Sequence, residues 1–258
     1  MIPFKHALAA LTLGFSAFAA LATPTVHEYS TVTWNVSDGV QNTVAAVGGM
    51  AYGGRLNSVA SLTGTDVLVS SYWDTDAAAW VAAGGIYIIH DWGNDATLLP
   101  GLSGATLAGF DSADINVIDS ASAIVNGPAG VISNTTLDGG SASAHGAWNA
   151  SSLVSTDPLA GVVHAILSST SASAVVMFEM SYGQGHILYA NIPLEAYTDS
   201  APLVTGPQPA GLQIYAKNEM AYAKALLAAG NSVPEPGSAA LALLALVGAA
   251  AARRRSAT

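Results

Sequence analysis

The sequence predicts an α/β fold: a mostly parallel open sheet with helices on both faces. Three observations predict it. Residues 66–89 run strand, short helix, strand within 24 positions, a βαβ unit that requires parallel pairing and a right-handed crossover. Apolar runs of strand length recur between glycine-rich turns later in the chain. A closing segment, 211–229, carries an apolar stripe at helical spacing.

Taken in order, Val32, Trp34 and Val36 alternate with polar residues as a half-buried strand does, and Asp38-Gly39 ends it. Gly48, Gly49, Gly53 and Gly54 read as a loop. DVLVSS (66–71) is a buried strand. Asp74-Thr75-Asp76 supplies the N-cap and acidic first turn of a helix over 77–83, and Gly84-Gly85 stops it. IYII (86–89) follows as the second buried strand. Further strands are expected at 115–118, 162–167, 174–180 and 186–191, the last two flanking a hairpin turn at Gly183-Gln184-Gly185. Leu212, Tyr215, Glu219, Tyr222, Leu226 and Leu227 mark the final helix, with Gly230 past its end.

Both ends read as addresses. Lys5 precedes an apolar stretch over 7–20, and Ala20-Leu21-Ala22 presents the small-x-small pattern of a secretory signal cut after Ala22. At the other end, 238–252 is free of charge. As a helix it would reach about 22 Å, short of a hydrocarbon core about 30 Å thick. The segment suits transient rather than permanent insertion. Arg253, Arg254 and Arg255 would remain cytoplasmic, and Pro234 and Pro236 hold Glu235 in extended chain outside the helix. The expected organisation is a signal peptide at 1–22, an α/β domain at 23–230, a linker at 231–237 and a hydrophobic sorting helix with an Arg-rich tail at 238–258.

Val233-Pro234-Glu235-Pro236, the Ala/Leu run and the arginines together resemble the PEP-CTERM sorting signal. That resemblance implies recognition by an exosortase in a Gram-negative bacterium that makes extracellular polysaccharide. It implies signal peptidase and exosortase as processing partners, transient membrane insertion, cleavage near the motif, and delivery to the envelope or beyond.

With both ends removed, Arg55, Lys217 and Lys224 face 16 acidic residues, a net charge of −13. No basic patch exists to displace phosphate counterions, which excludes nucleic acid as a partner. The chain has no cysteine, so disulfides, thiol catalysis and zinc–thiolate sites are excluded.

DVLVSSYWDTDAAAWVAAGGIYIIHDW (66–92) and GQGHILYANIPLEAY (183–197) resemble the class I glutamine-amidotransferase-like, flavodoxin-related superfamily, including trehalose-utilisation-like members with a His after the strand. The resemblance implies that superfamily's fold. Its nucleophilic cysteine belongs in the turn that here reads His90-Asp91-Trp92-Gly93, so glutamine hydrolysis by that mechanism is absent.

His90, Asp91, Asn94 and Asp95 lie beyond the C-terminal end of a predicted parallel strand, where open α/β sheets bind ligands. One His and two carboxylates suit a divalent cation or acid–base work on water, and the same residue types also suit a solvated turn. No other cofactor is implied. His145, Gly146 and Trp148 in a glycine-rich stretch suit either a sugar site or a plain connection. Asp111, Asp114 and Asp119 read as a solvated sheet edge. Glu179 inside VVMFEM needs a partner if its strand is central, and a nearby His is the cheapest one. No phosphate loop, HExxH helix or serine elbow occurs. The expected function is that of a secreted, exosortase-sorted, non-catalytic extracellular or matrix-associated protein that binds polysaccharide or a small ligand. The alternative is a secreted metal- or His/Asp-dependent hydrolase working at the His90/Asp91 turn.

Overall fold

The computed structural model describes residues 23–29, 38–139, 144–192 and 211–230. The expected signal peptide at 1–22, the expected strand at 32–36, the expected linker at 231–237 and the sorting tail lie outside the described residues. Among the described residues no helix is long and apolar enough to cross a membrane.

The parallel half follows from residues that are apolar on both faces. Strands β3 (Val67–Ser70) and β4 (Ile86–His90) are buried at every position, as strands covered by helices on both sides must be. They pair in parallel. Between them the Asp74 carboxylate accepts from the Asp76 backbone N–H at 3.0 Å, capping the turn that leads into α2 (Ala78–Ala82). Before them come β1 (Thr25–Tyr29), α1 (Gly39–Val47) and β2 (Ala51–Leu56). With β12 (Gly185–Ala190), the order β2-β1-β3-β4-β12 is parallel at every step.

Beyond β12 the sheet turns antiparallel, through β11 (Ala174–Tyr182), β10 (His164–Ser168) and β6 (Asn116–Val117). Strand β9 (Ala144–Asn149) pairs the start of β11, and β5 (Leu107–Ser112) pairs β9. A separate small hairpin joins β7 (Asn126–Gly127) to β8 (Gly130–Val131). The sheet is therefore mixed rather than mostly parallel. A turn as tight as Gly183-Gln184 can only return the chain antiparallel, and no α-helical crossover separates the described strands from β5 to β12.

Near the N-terminus one element adds to the expected order and one expectation is corrected. Residues 39–47 form α1, with Val40 and Val44 buried on one side. Gly53 and Gly54 sit inside β2 rather than in a loop. The His27 ring lies over Gly53, where any Cβ would come within 2.3 Å of Nε2, so glycine marks a close approach here and not flexibility.

Side-chain alternation splits the core into layers. On one face Leu68, Tyr87, Ile89 and Tyr189 pack with Val81 of α2. On the other, Val67, Ile86 and Ile88 pack with Val44 of α1 and with Met220 of α3 (Gly211–Gly230). Helix α3 continues over the antiparallel half, where Leu212 and Tyr215 meet Ile166, Val176 and Ala190. Helices thus cover both faces, as expected.

Asn218 on α3 is fully buried and ties down the segment around the β7–β8 hairpin. Its amide donates to the Ile124 and Gly130 carbonyls at 3.0 and 2.9 Å, and its oxygen accepts from the Ala129 N–H at 2.9 Å. Asn218→Ala would strip the buried Ile124 carbonyl and two partly buried backbone groups of their partner, a cost of about 2 kcal/mol. A Tm lowered by roughly 4–8 °C is expected; an unchanged Tm would show that α3 does not hold this segment.

Candidate functional site

Strand β4 delivers His90 and Asp91 to its C-terminal end, and period-2 alternation sends them to opposite faces. His90 points to the α3 face and is 1% exposed. Its Nδ1 lies 2.8 Å from the Ile192 carbonyl, so that nitrogen carries a proton. Its Nε2 lies 3.0 Å from Glu219 Oε2, with both side chains almost wholly buried. The other oxygen, Glu219 Oε1, accepts from the Tyr215 hydroxyl at 2.9 Å. Burial, with the Glu219 carboxylate beside it, holds the Tyr215 phenol well above its usual range, so it remains a donor. A chain of contacts therefore runs Tyr215, Glu219, His90, Ile192, and closes the space between α3 and the sheet.

Asp91 is fully buried on the opposite face. Its carboxylate accepts from the Gly93 N–H at 2.6 Å, from the Asp95 N–H and from the Tyr189 hydroxyl. Burial pushes the Asp91 carboxyl up from the ordinary carboxylate value, against the downward pull of these donors. The carboxylate braces its own turn, with both oxygens engaged.

Below that turn lies an amide network. Asn191 donates to Asn94 Oδ1 at 2.9 Å and accepts from Trp148 Nε1 at 2.9 Å. Asn94 holds a left-handed backbone at φ 60 and donates to the His145 carbonyl at 3.3 Å. Gly146 makes room for it, since a Cβ there would fall 1.6 Å from Asn94 Oδ1. Residues 144–149 are thus strand β9 rather than a loop, and Trp148 is buried at 1% exposure. The aromatic group that accompanies His145 is Trp92: the two rings stack at 4.3 Å and 24°. His145 Nδ1 lies 3.0 Å from Asp111 Oδ1, whose side chain is 68% exposed.

The structure brings Asp91, Asn94, Asp95 and His145 together, and places His90 behind the sheet with Glu219. Glu179 is elsewhere, two strands away on β11. It does find a histidine: His164 on β10 lies 3.2 Å from Glu179 Oε1 and 3.3 Å from Asp119 Oδ2. Asp111 and Asp119, expected only as a solvated edge, each face a histidine. Among the described residues no three His, Asp or Glu side chains converge as a metal-holding set. Trp92, Tyr189 and Asn191 were not singled out from sequence. Glu219 did leave a signal, a carboxylate inside the apolar stripe of the last helix.

The PEP-CTERM protein-sorting motif matches residues 232–256. The chain therefore carries the signal of an exported protein that an exosortase sorts to the cell envelope. A comparison with curated proteins finds no match. Among solved structures, an exo-β-1,4-mannosidase from Opitutaceae bacterium strain TAV5 matches at 12% identity and a TM-score of 0.40, covering 80% of this chain and 35% of the mannosidase. A cytoplasmic protein of Salmonella typhimurium matches at 11% identity and a TM-score of 0.43, over 78% of this chain and 98% of that one. A β-galactosidase from Bacillus circulans sp. alkalophilus matches at 8% identity and a TM-score of 0.40, over 78% and 30%. The chain spans about a third of the length of the two glycosidases. Likenesses this loose carry no functional inference.

Proposed function

We propose that this exported, exosortase-sorted protein acts without catalysis, and that its α/β domain binds polysaccharide at the edge formed by Trp92 and His145. The amidotransferase-like reading of residues 66–92 and 183–197 belongs to the same proposal, with the ancestral nucleophile replaced by a turn that serves binding. The observation that carries it is the Trp92–His145 stack beside the exposed Asp111. An aromatic face packs against the C–H face of a sugar ring, while imidazole and carboxylate reach its hydroxyls. The groups a hydrolase would use here are engaged otherwise: both His90 nitrogens face buried partners, and both Asp91 oxygens accept donors.

The test is thermal unfolding of the exported protein with fragments of extracellular polysaccharide. A ligand at about 100 times its Kd stabilises by about 2.7 kcal/mol, a Tm rise of roughly 5–11 °C for a domain of this size. Trp92→Ala should abolish that rise while the unliganded protein still unfolds cooperatively. An equal rise in Trp92→Ala would sink the site. Turnover of a polysaccharide that is lost in a folded His90→Ala variant would instead establish the hydrolase.

A further inference from the structure

The entry and exit of the α/β domain lie at one end of the sheet. Thr25, three residues after the expected signal-peptide cut, begins β1 beside the residue that precedes β3: its N–H donates to Asp66 Oδ2 at 2.7 Å and its carbonyl accepts from the Asp66 N–H at 2.9 Å. The Asp66 carbonyl in turn accepts from the Ile86 N–H at 3.1 Å, at the start of β4. Helix α3 runs the opposite way. Tyr215 and Glu219 flank His90 at the far end of β4, whereas Leu226, Leu227 and Gly230 line a cleft of about 580 Å³ with Thr65, Asp66 and Gln184. The chain therefore leaves the domain at Gly230 from the same edge at which it enters.

The Trp92–His145 stack occupies the opposite edge, beyond the C-terminal end of β4. The reach of the tether matters here. Residues 231–237 span at most about 25 Å when fully extended, whereas a domain of about 200 residues is about 40 Å across. A domain held by so short a linker keeps its exit edge next to whatever anchors the tail.

We propose that the N-terminal edge of the parallel strands is the surface this domain turns toward the lipid bilayer while the sorting tail is attached, which presents the Trp92–His145 edge away from the membrane. The inference rests on the reading of 238–252 as a segment that inserts in the bilayer. It gives that stage a function: the domain can meet extracellular polymer before its tail is cut.

The absence of cysteine makes the test clean. The chain, with its tail intact, is reconstituted in phosphatidylcholine vesicles as single-cysteine variants carrying one fluorophore, with a quencher on a fraction of the lipid headgroups. Ala83→Cys and Gln184→Cys probe the exit edge, and Thr97→Cys and Ala113→Cys the opposite one; all four positions are exposed. Quenching at least about twofold stronger at the exit edge is expected, because the tether is shorter than the domain is wide. Equal quenching at all four positions, or stronger quenching at Thr97 and Ala113, in vesicles that carry the protein on flotation would overturn the orientation and leave the tail reading intact. Protein that fails to float with the vesicles would remove the tail reading, and the orientation with it.

Discussion

Asp91→Ala should be among the most damaging single changes in this domain. It leaves the buried Tyr189 hydroxyl, and the partly buried N–H groups of Gly93 and Asp95, without their acceptor. Each orphaned donor costs about 1–3 kcal/mol, so a loss of about 3 kcal/mol or more and a Tm lower by roughly 6–12 °C are expected. The effect should depend on pH. Burial raises the folded-state value of the carboxyl, so the folded protein holds this proton more tightly than the unfolded chain does. The linked stability is fully present below the unfolded value of about 3.9. It is lost as pH rises through the folded value. The gap between wild type and Asp91→Ala should thus be widest in acid and narrow toward neutrality. Denaturant unfolding of both proteins at several pH values measures it, and a gap that widens with pH would show that hydrogen bonding, not burial, dominates the carboxyl.

Glu219→Ala should rival it, for a different reason. Glu219 is fully buried between His90 Nε2 and the Tyr215 hydroxyl, and removing it strips two buried polar groups of one shared partner. Breaking a buried pair by deleting one member costs about 3–5 kcal/mol, far more than the intact pair contributes over an apolar replacement. A Tm lowered by roughly 6–12 °C or more follows. Glu219→Gln keeps an acceptor for Tyr215 and should cost clearly less. Equal losses in the two variants would mean that charge on Glu219 holds the site, and an unaffected Glu219→Ala would refute the role given to α3. Polysaccharide binding by whatever folded Glu219→Gln remains should be unchanged, since Glu219 is wholly buried against His90 and Tyr215 and offers no group at the surface.

Several of these features were written locally. The βαβ unit showed because β3 and β4 are buried on both faces, which leaves unbroken apolar runs, and because the Asp74 cap and Gly84-Gly85 stop are short-range devices. The hairpin at Gly183 was legible for the same reason. Helix α1 was missed although Val40, Val44 and Val47 sit at helical spacing, because the glycines that follow were read as a loop. Gly53 was misread because a glycine required by an overlying ring looks the same in sequence as one required by a turn. At the site, the cluster at 90–95 stood out as a concentration of His, Asp and Asn after a buried strand. Its division between two faces followed from strand alternation, but the partners that give each face its meaning did not.

The sorting motif, the acidic composition without cysteine and the unit of β3, α2 and β4 were settled by the order of residues, because each depends on neighbours within a turn or two of chain. The mixed character of the sheet was not, since pairing of β9 with β5 and with β11 is a matter of register between distant segments. Nor were the fates of His90 and His145. One meets the carbonyl of a residue 102 positions away and is sealed under α3; the other stacks on Trp92 at an edge still open to solvent. An imidazole is a buried strut or a ligand-facing group according to what packs against it, and that is set by the folding of the whole chain.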